Sequence, residues 1–310
     1  MATTRRRLLA AGGGLLAPAV LAVAGCGGAT EASRPAAAGA FANPNLVVSA
    51  AWLKDHSADP GLRVVDARAA ADYARGHIAG AVSLPVADTF DPARPGNYPD
   101  SKEKLEALFG ARGIANATRV VVYDAGAETP GPRLFWTLEY LGQRGSAVLD
   151  GGLKAWQAAG GAVTTEPPTV PAASYTAAVD PSRIYSQAEC ALAITDRTKV
   201  VVDARSPEEY RGEDVRAPFG GHIPGAVNID YRENFTPDAR LKDASALRAL
   251  YAARGVTPDK EVIGLCQTGQ RSTVAYWVLR LLGYPRVGNY GGGWIEWGSD
   301  PQTSKAQGAS

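Results

Sequence analysis

The sequence predicts an α/β protein made of two related domains, each with a mainly parallel central sheet flanked by helices. Short valine-rich runs without polar alternation recur along the chain and are separated by helical patterns. Such runs are typical of parallel strands that helices cover on both faces. Sequence blocks also recur in the same order 137 to 145 residues later. At 310 residues the chain is long enough for two domains of about 150 residues each.

The N-terminal segment, residues 1–25, is predicted to be an export signal. Arg5–Arg7 precede the small and apolar run Leu8–Ala24, as in the basic and hydrophobic regions of a secretory signal. The paired arginines also resemble a twin-arginine signal, so the choice between the two export pathways stays open. The apolar run is interrupted by glycine and is shorter than the roughly 20 residues of a typical membrane-spanning helix.

The end of this segment resembles the cleavage box of bacterial lipoproteins. It has the sequence Val23-Ala24-Gly25-Cys26, and such boxes are cut before the cysteine, whose thiol then receives a lipid. The alternative is a plain signal peptide in which Cys26 has no role. Residues 26–44 are predicted to form the lipidated cysteine and a flexible tether rich in Ala, Gly, Ser and Pro. The protein would then be exported and lipid-anchored on the outer face of a bacterial cell membrane or be periplasmic.

Charge and cysteine content restrict the expected partners and cofactors. The 32 lysines and arginines nearly balance the 31 aspartates and glutamates, so no nucleic-acid partner is expected and only the lipid would hold a membrane. Besides Cys26 the chain has Cys190 and Cys266, without a CxxC motif or Cys/His cluster, so neither a metal nor another cofactor is expected. Cys190 follows the predicted helix cap Ser186, and we interpret it as a buried structural thiol.

A duplication organises the rest of the chain. The matching blocks are Val64–Arg68 with Val201–Arg205, Gly76–Val82 with Gly221–Val227, Arg119–Asp124 with Glu261–Cys266, and Gly151–Trp156 with Gly292–Trp297. The second copy carries eight extra residues around Gly212–Gly220. The domains are therefore predicted at residues 45–164 and 183–303, with a linker at 165–182 and a tail at 304–310.

Strands and helices are predicted to alternate in each copy. The clearest strands are Arg63–Val65, Val120–Tyr123, Lys199–Val202 and Val262–Leu265, and the clearest helices are Lys102–Gly110, Arg133–Leu141, Ser245–Arg254 and Ser272–Leu282. This alternation favours an α/β fold with a parallel sheet in each domain.

The repeated motifs resemble those of the tandem rhodanese family. Each copy has Asp-Ala-Arg, then a tyrosine, then Gly-His-Ile-x-Gly-Ala, and the second copy ends in Gly292–Trp297. The resemblance covers about residues 46–300. It implies a sulfurtransferase that uses thiosulfate or 3-mercaptopyruvate, with a catalytic C-terminal domain and a degenerate N-terminal copy. His77 and His222, in the Gly-His-Ile motifs, are expected to have structural roles.

Cys266 lies at a predicted joint of strand, loop and helix that suits anion binding. The strand Val262–Leu265 precedes it, and a helix begins near Ser272. Backbone N–H groups and the positive helix end at such a joint favour the thiolate, which can act as a nucleophile without a separate base. Gly269 would permit a tight turn and Arg271 would add a cation. The residues predicted to bind substrate are Gln267, Thr268, Gly269, Gln270 and Arg271.

The family resemblance assigns the chemistry to the second domain. It implies that Cys266 carries a persulfide, whereas the aligned residue of the first copy is Asp124, which cannot carry one. Many tandem rhodaneses place an arginine six residues after the aspartate of Asp-x-Arg to help bind the donor, and here Glu209 stands at that position. The residues that could support the site instead are Asp203, Arg205 and Arg211.

The predicted function is transfer of sulfane sulfur from thiosulfate to cyanide or a thiol, by a monomer. The polar loop with Gln267 and Gln270 is closer to thiosulfate enzymes than to the Cys-Gly-Ser-Gly loop of mercaptopyruvate enzymes. A 3-mercaptopyruvate sulfurtransferase and a persulfide carrier that depends on a protein partner remain alternatives. A cysteine phosphatase or arsenate reductase is disfavoured, because their loops follow Cys-x5-Arg and only four residues separate Cys266 from Arg271.

Overall fold

The computed structural model describes residues 40–308, so the predicted export signal and Cys26 lie outside the described residues. The first domain contains strands β1 Val47–Val48, β2 Leu62–Asp66, β3 His77–Ile78, β4 Val82–Ser83, β5 Arg119–Tyr123, β6 Ser146–Leu149 and β7 Val163–Thr164, and helices α1 Ala50–His56, α2 Ala70–Arg75, α3 Lys102–Gly110, α4 Pro130–Tyr140 and α5 Gly152–Ala158. The second contains strands β8 Ile184–Tyr185, β9 Lys199–Asp203, β10 Val227–Asn228, β11 Glu261–Leu265 and β12 Val287–Tyr290, and helices α6 Gln187–Leu192, α7 Pro207–Arg211, α8 Ala244–Ala252, α9 Ser272–Leu282 and α10 Gly293–Trp297.

Each domain is built around a five-stranded sheet whose neighbouring strands are parallel. The strand order is β1-β6-β5-β2-β4 in the first domain and, from the corresponding edge, β8-β12-β11-β9-β10 in the second. Strands that correspond in the sequence repeat therefore occupy corresponding places, and the predicted α/β fold with two related domains is confirmed. The first domain adds the antiparallel pair β3-β7, and the second has a single bridge between His222 and Ala306 at the matching place.

The central strands are apolar because they lie in the middle of the sheets with helices on both faces. Val121 of β5 and Ile263 of β11 are fully buried, as are their strand neighbours Val122 and Val262. Successive strand residues point to opposite faces, so burial of consecutive residues requires cover on both.

Helices α4 and α9 join the two domains through a shared hydrophobic core. The Glu139 carboxylate of α4 accepts hydrogen bonds from the Tyr276 hydroxyl at 2.5 Å and from Arg280 Nε at 3.1 Å. Helix α4 begins at Pro130, three residues earlier than predicted, because proline fits the first helical turn, where backbone N–H groups have no partner within the helix. The loop before α4 and the loop before α9 are therefore brought to the domain boundary.

Described residues of the predicted tether and of the predicted tail contact the second domain. Asn43, within the predicted tether, donates from its backbone to the Leu281 carbonyl at 3.1 Å and from its side chain to the Arg280 carbonyl at 2.7 Å. Ala306, within the predicted tail, exchanges two backbone hydrogen bonds with His222. Asn43 and Ala306 are therefore bound to the second domain. Between residues 40 and 308, no helix has the length and apolar character needed to cross a membrane.

Candidate active site

Cys266 lies directly after the central strand β11, and only 1% of its surface is exposed. The carboxyl end of a parallel sheet is the edge at which α/β proteins bind ligands. Helix α9 begins at Ser272, so residues 266–271 form a six-residue loop between strand and helix, as the sequence predicts.

The carbonyl groups of this loop are bound by donors outside it. Cys266 O accepts from Trp294 N at 2.7 Å, Gln267 O from Ile295 N at 2.9 Å, Thr268 O from Asn97 N at 2.9 Å, Gly269 O from Asn289 Nδ2 at 2.8 Å and Gln270 O from Thr273 Oγ1 at 2.6 Å. The backbone N–H groups of residues 267–271, by contrast, donate to no group in the described part of the chain. Successive free N–H groups of this kind form an anion-binding concavity, and we call residues 266–271 the cradle.

Two glycines allow the cradle to lie against neighbouring backbone. Gly269 has a φ of +77°, and a Cβ atom there would lie 2.7 Å from the Gly291 carbonyl oxygen. Gly293, at the start of α10, has a φ of +61°, and a Cβ atom there would lie 2.8 Å from the Cys266 carbonyl oxygen. A side chain at either position would displace the cradle. The sequence pattern indicates this role for Gly269 but gave no reason to single out Gly293.

Ser272 and Asn289 connect the reactive sulfur to the cradle. Ser272 Oγ lies 3.5 Å from Cys266 Sγ and 2.6 Å from Asn289 Oδ1. Both polar side chains are fully buried, and Asn289 also donates to the Gly269 carbonyl. The hydroxyl of Ser272 can therefore donate to the sulfur or to the amide. Neither residue was identified as a site residue from the sequence. The sequence pattern indicates Ser272 only as the start of a helix, and Asn289 lies on β12, far from Cys266 along the chain.

Arg271 is paired with Glu209, the residue that replaces the expected family arginine. Two nitrogens of the Arg271 guanidinium donate to the two carboxylate oxygens of Glu209 at 2.6 and 2.8 Å. Burial alone would raise the pKa of Glu209, but the Arg271 guanidinium and the charge of Arg216 hold it below its usual range. Burial opposes the charge of Arg271, yet Glu209 and the negative charge of Cys266 raise its pKa above the usual range. The positive charge of Arg271 is thus balanced by the buried carboxylate of Glu209.

The eight extra residues of the second copy reach the rim of the cradle. Gln267 Nε2 donates to the Arg216 carbonyl at 2.8 Å, and Arg216 Nη1 lies 3.7 Å from the Glu209 carboxylate. The Arg216 side chain is 53% exposed. The insertion therefore adds a solvent-facing cation beside the Arg271–Glu209 pair, at a position that no sequence motif marks.

The residues predicted as possible support for the site do not lie together. Asp203 and Arg205 form a buried pair, whereas Arg211 lies at the surface. Arg205 is fully buried, donates to both oxygens of Asp203 and to the Gly221 carbonyl, and packs 4.5 Å from the Trp294 ring. This pair ties β9 to the turn before β10. Arg211 is bound by Glu208 and Glu213 on the surface. In the described part of the chain, Arg205 and Arg211 are therefore both bound to residues outside the cradle.

The first domain holds the cradle from the opposite side. The Asn97 side-chain amide donates to Thr268 Oγ1 at 3.2 Å and to Gln270 Oε1 at 3.4 Å. Gln270 Nε2 in turn donates to Thr129 Oγ1 at 2.9 Å. Two of the five residues predicted to bind substrate are therefore bound by the domain that lacks Cys266.

The matching loop of the first domain is filled by its own carboxylate. Asp124 accepts hydrogen bonds from the backbone N–H groups of Gly126 at 2.9 Å and Gly131 at 3.0 Å. Burial raises the pKa of Asp124 to about 6, while these two N–H groups act in the opposite direction. Ala127, aligned with Gly269, also has a positive φ of +54°. The loop geometry is thus retained, but a side-chain anion occupies the position in which the second domain has a thiol.

The remaining thiol and the two motif histidines lie in packed surroundings. Cys190 is fully buried, and its burial raises its pKa well above the usual value. His77 and His222 each stack on a tyrosine ring and place Nδ1 within 2.9 Å of that tyrosine's carbonyl oxygen. Across residues 40–308, no group of three or more His, Cys, Asp or Glu side chains is arranged to hold a metal ion.

In the second half of this duplicated α/β scaffold, the buried Cys266 is followed by a loop of backbone N–H groups without partners in the described part of the chain. Such a site can carry an anionic sulfur that is bonded to the cysteine. The family model of the rhodanese-like domain matches residues 49–159 and 186–300. The chain belongs to the rhodanese family, with one such domain in each half.

Relatives and solved structures agree over most of the length. The chain is 37% identical to a thiosulfate sulfurtransferase from Azotobacter vinelandii, covering 85% of this chain and 97% of that protein. It is 35% identical to the sulfur carrier protein TtuD from Thermus thermophilus, over 84% and 95%. The structure of the 3-mercaptopyruvate sulfotransferase SseA from Escherichia coli superposes with a TM-score of 0.73 and 29% identity, over 80% and 98%.

Proposed function

We propose that the protein transfers sulfane sulfur from thiosulfate to a thiophilic acceptor such as cyanide or a small thiol. The observation that carries the proposal is the cradle, in which the buried Cys266 is followed by five backbone N–H groups that have no partner in the described part of the chain. The thiosulfate sulfurtransferase from Azotobacter vinelandii supports the same activity by its similarity over nearly its whole length.

The reaction has two displacement steps at Cys266. The thiolate attacks the outer sulfur of thiosulfate, the sulfur–sulfur bond breaks, and sulfite leaves with the bonding electron pair. The persulfide that remains on Cys266 is anionic, and the free N–H groups of the cradle stabilise it. Cyanide or a thiolate then attacks the outer sulfur, so that thiocyanate or a new persulfide leaves and the Cys266 thiolate is restored.

The charge arrangement favours thiosulfate over 3-mercaptopyruvate. Thiosulfate is a small dianion that several N–H donors can hold, whereas mercaptopyruvate also needs a cation for its carboxylate. Glu209 occupies the expected position of such a cation and neutralises Arg271. The exposed Arg216 is a cation near this pair that could serve mercaptopyruvate, which keeps that donor as the second candidate.

We expect kcat/KM for thiosulfate to exceed that for 3-mercaptopyruvate by about tenfold or more, since a carboxylate without a partner costs roughly that much discrimination. Steady-state rates of thiocyanate formation with each donor measure the ratio, and a Cys266→Ser protein gives the background. A clear preference for mercaptopyruvate would reject thiosulfate as the donor. A protein that accepts one sulfur but does not turn over with cyanide or thiols would instead be a carrier, as the name of the Thermus relative indicates for that protein.

We also propose that the mature protein is a monomer that begins at Cys26 and is attached by lipid to the outer face of a bacterial membrane. The basic start, the apolar run and the Val-Ala-Gly-Cys sequence support this. Ala40, the first residue that the structure describes, accepts a hydrogen bond at its carbonyl oxygen from Arg248 of the second domain. The segment from residue 26 to residue 39 would then connect the lipid to the enzyme.

Expression in a bacterium tests the anchor. We expect the wild-type protein in the membrane fraction with the mass of a lipid added at Cys26, and release of Cys26→Ser from that fraction with sulfur transfer unchanged. A single lipid chain gives only marginal membrane binding, so stable anchoring requires the multiple chains of a lipoprotein. A soluble mature protein with an unmodified or absent Cys26 would contradict the proposal.

A further inference from the structure

Arg133 is a buried cation without a carboxylate partner, and it lies in the domain that lacks the catalytic cysteine. It occupies the first turn of α4 and has no exposed surface. Its Nη2 donates to the Asn97 carbonyl, whereas Nε and Nη1 are buried without a hydrogen-bond partner in the described part of the chain. A charge in this position is costly, because burial removes its hydration and little replaces it.

The immediate surroundings of Arg133 compensate its charge only weakly. The guanidinium carbon lies 4.3 Å from the Trp136 ring centre and 5.0 Å from that of Phe90, so aromatic faces supply part of the attraction. Burial lowers the pKa of Arg133 to about 9, and the negative charge of Cys266 opposes this lowering. A pKa of about 9 leaves the guanidinium positive at neutral pH, so it can interact favourably with a negative charge on the Cys266 sulfur of the other domain.

The contacts of Asn97 place Arg133 next to the cradle. The Asn97 backbone N–H donates to the Thr268 carbonyl at 2.9 Å, and its side chain donates to Thr268 Oγ1. The same residue accepts the hydrogen bond of Arg133 through its carbonyl oxygen. A single residue thus separates the buried guanidinium from the loop that carries Cys266.

We propose that Arg133 is a positioning residue of the active site, whose buried positive charge stabilises the anionic sulfur of Cys266 from across the domain boundary. The inference deepens the proposed function, because both the thiolate and the persulfide of that reaction are anions. It gives a role to a buried arginine of the first domain whose Nε and Nη1 have no hydrogen-bond partner among residues 40–308. It also gives that domain an electrostatic role beyond packing.

A purely structural role would consist of holding Asn97 in place. Arg133→Gln separates the two roles, since the glutamine amide can still donate a hydrogen bond but carries no charge. Arg133→Lys keeps the charge and loses the planar fork. Arg280→Gln is the matched control. Arg280 is a partly buried arginine of the α4–α9 contact, but it is bound to Glu139 and lies at the end of α9 away from the cradle.

The measurement is the rate of Cys266 alkylation by iodoacetamide as a function of pH, followed by peptide mass on full mature protein. Loss of one nearby buried charge is expected to move the pH midpoint of alkylation upward by about half to one unit in Arg133→Gln. The midpoint is expected to stay at the wild-type value in Arg133→Lys and Arg280→Gln. Alkylation uses neither donor nor acceptor, so this outcome is independent of whether thiosulfate is the donor.

An unchanged midpoint in folded Arg133→Gln would overturn the proposal and leave Arg133 a structural residue. Circular dichroism and thermal unfolding establish that each variant is folded. If Arg133→Gln does not fold, Arg133→Lys decides, because an upward shift of its midpoint despite the retained charge would equally overturn the proposal.

Discussion

Replacing Cys266 with serine is expected to reduce sulfur transfer from thiosulfate to the rate without enzyme. A serine hydroxyl is nearly the size of a thiol, so it fits the site, but it forms no persulfide. Because a serine hydroxyl at this position would lie beside Ser272 Oγ and a loop of N–H groups left unpartnered by the described residues, the fold and the thermal unfolding midpoint should change little. Thiocyanate formation measures activity, and intact mass after incubation with thiosulfate measures the added sulfur.

Cys190→Ser is the control for this prediction, since it makes the same chemical change at a thiol that burial keeps protonated. It should retain most activity and the mass increase of one sulfur, although the buried hydroxyl is expected to cost about 1–2 kcal/mol of stability. Turnover in Cys266→Ser, or loss of the mass increase in folded Cys190→Ser, would show that the reactive thiol has been misassigned.

The fold was predictable because its determinants are local and are repeated. Valine-rich strands with no polar alternation identify buried parallel strands, and the recurrence of Arg119–Asp124 as Glu261–Cys266 places Asp124 and Cys266 at equivalent strand ends. The structure confirms the duplication through equal strand orders. The short helices α2, α7 and α10 were not predicted, because five or six residues carry too little helical periodicity.

Of the surroundings of Cys266, only the part that is contiguous with it in sequence could be predicted. The cradle is contiguous in sequence, and its shape followed from Gly269 and the neighbouring strand and helix. The contacts from outside it join residues far apart, such as Glu209 to Arg271 and Asn97 to Thr268. Side-chain pairing across such separations depends on the packing of the two domains, which no local pattern in one sequence encodes.

Replacing Arg271 with alanine is the change outside Cys266 that we expect to have the largest effect. The substitution leaves the Glu209 carboxylate buried next to the cradle, with Arg216 at 3.7 Å as a partly exposed neighbouring cation. That negative charge would repel both thiosulfate and the Cys266 thiolate. We expect kcat/KM for thiosulfate to fall about 100-fold and stability to fall by about 2–4 kcal/mol, as when one partner of a buried ion pair is removed.

The double variant Glu209→Gln with Arg271→Ala separates the charge left behind from the loss of the arginine. Removing the buried carboxylate should restore most of the stability and part of kcat/KM, because the repulsion disappears while the cradle amides remain. Arg211→Ala is the matched control; its exposed pairs with Glu208 and Glu213 contribute little, so its activity should stay within about twofold of wild type. Steady-state kinetics and urea unfolding of the single and double variants measure both effects. If the double variant were no more stable and no more active than Arg271→Ala, the paired carboxylate would not be the reason for the loss.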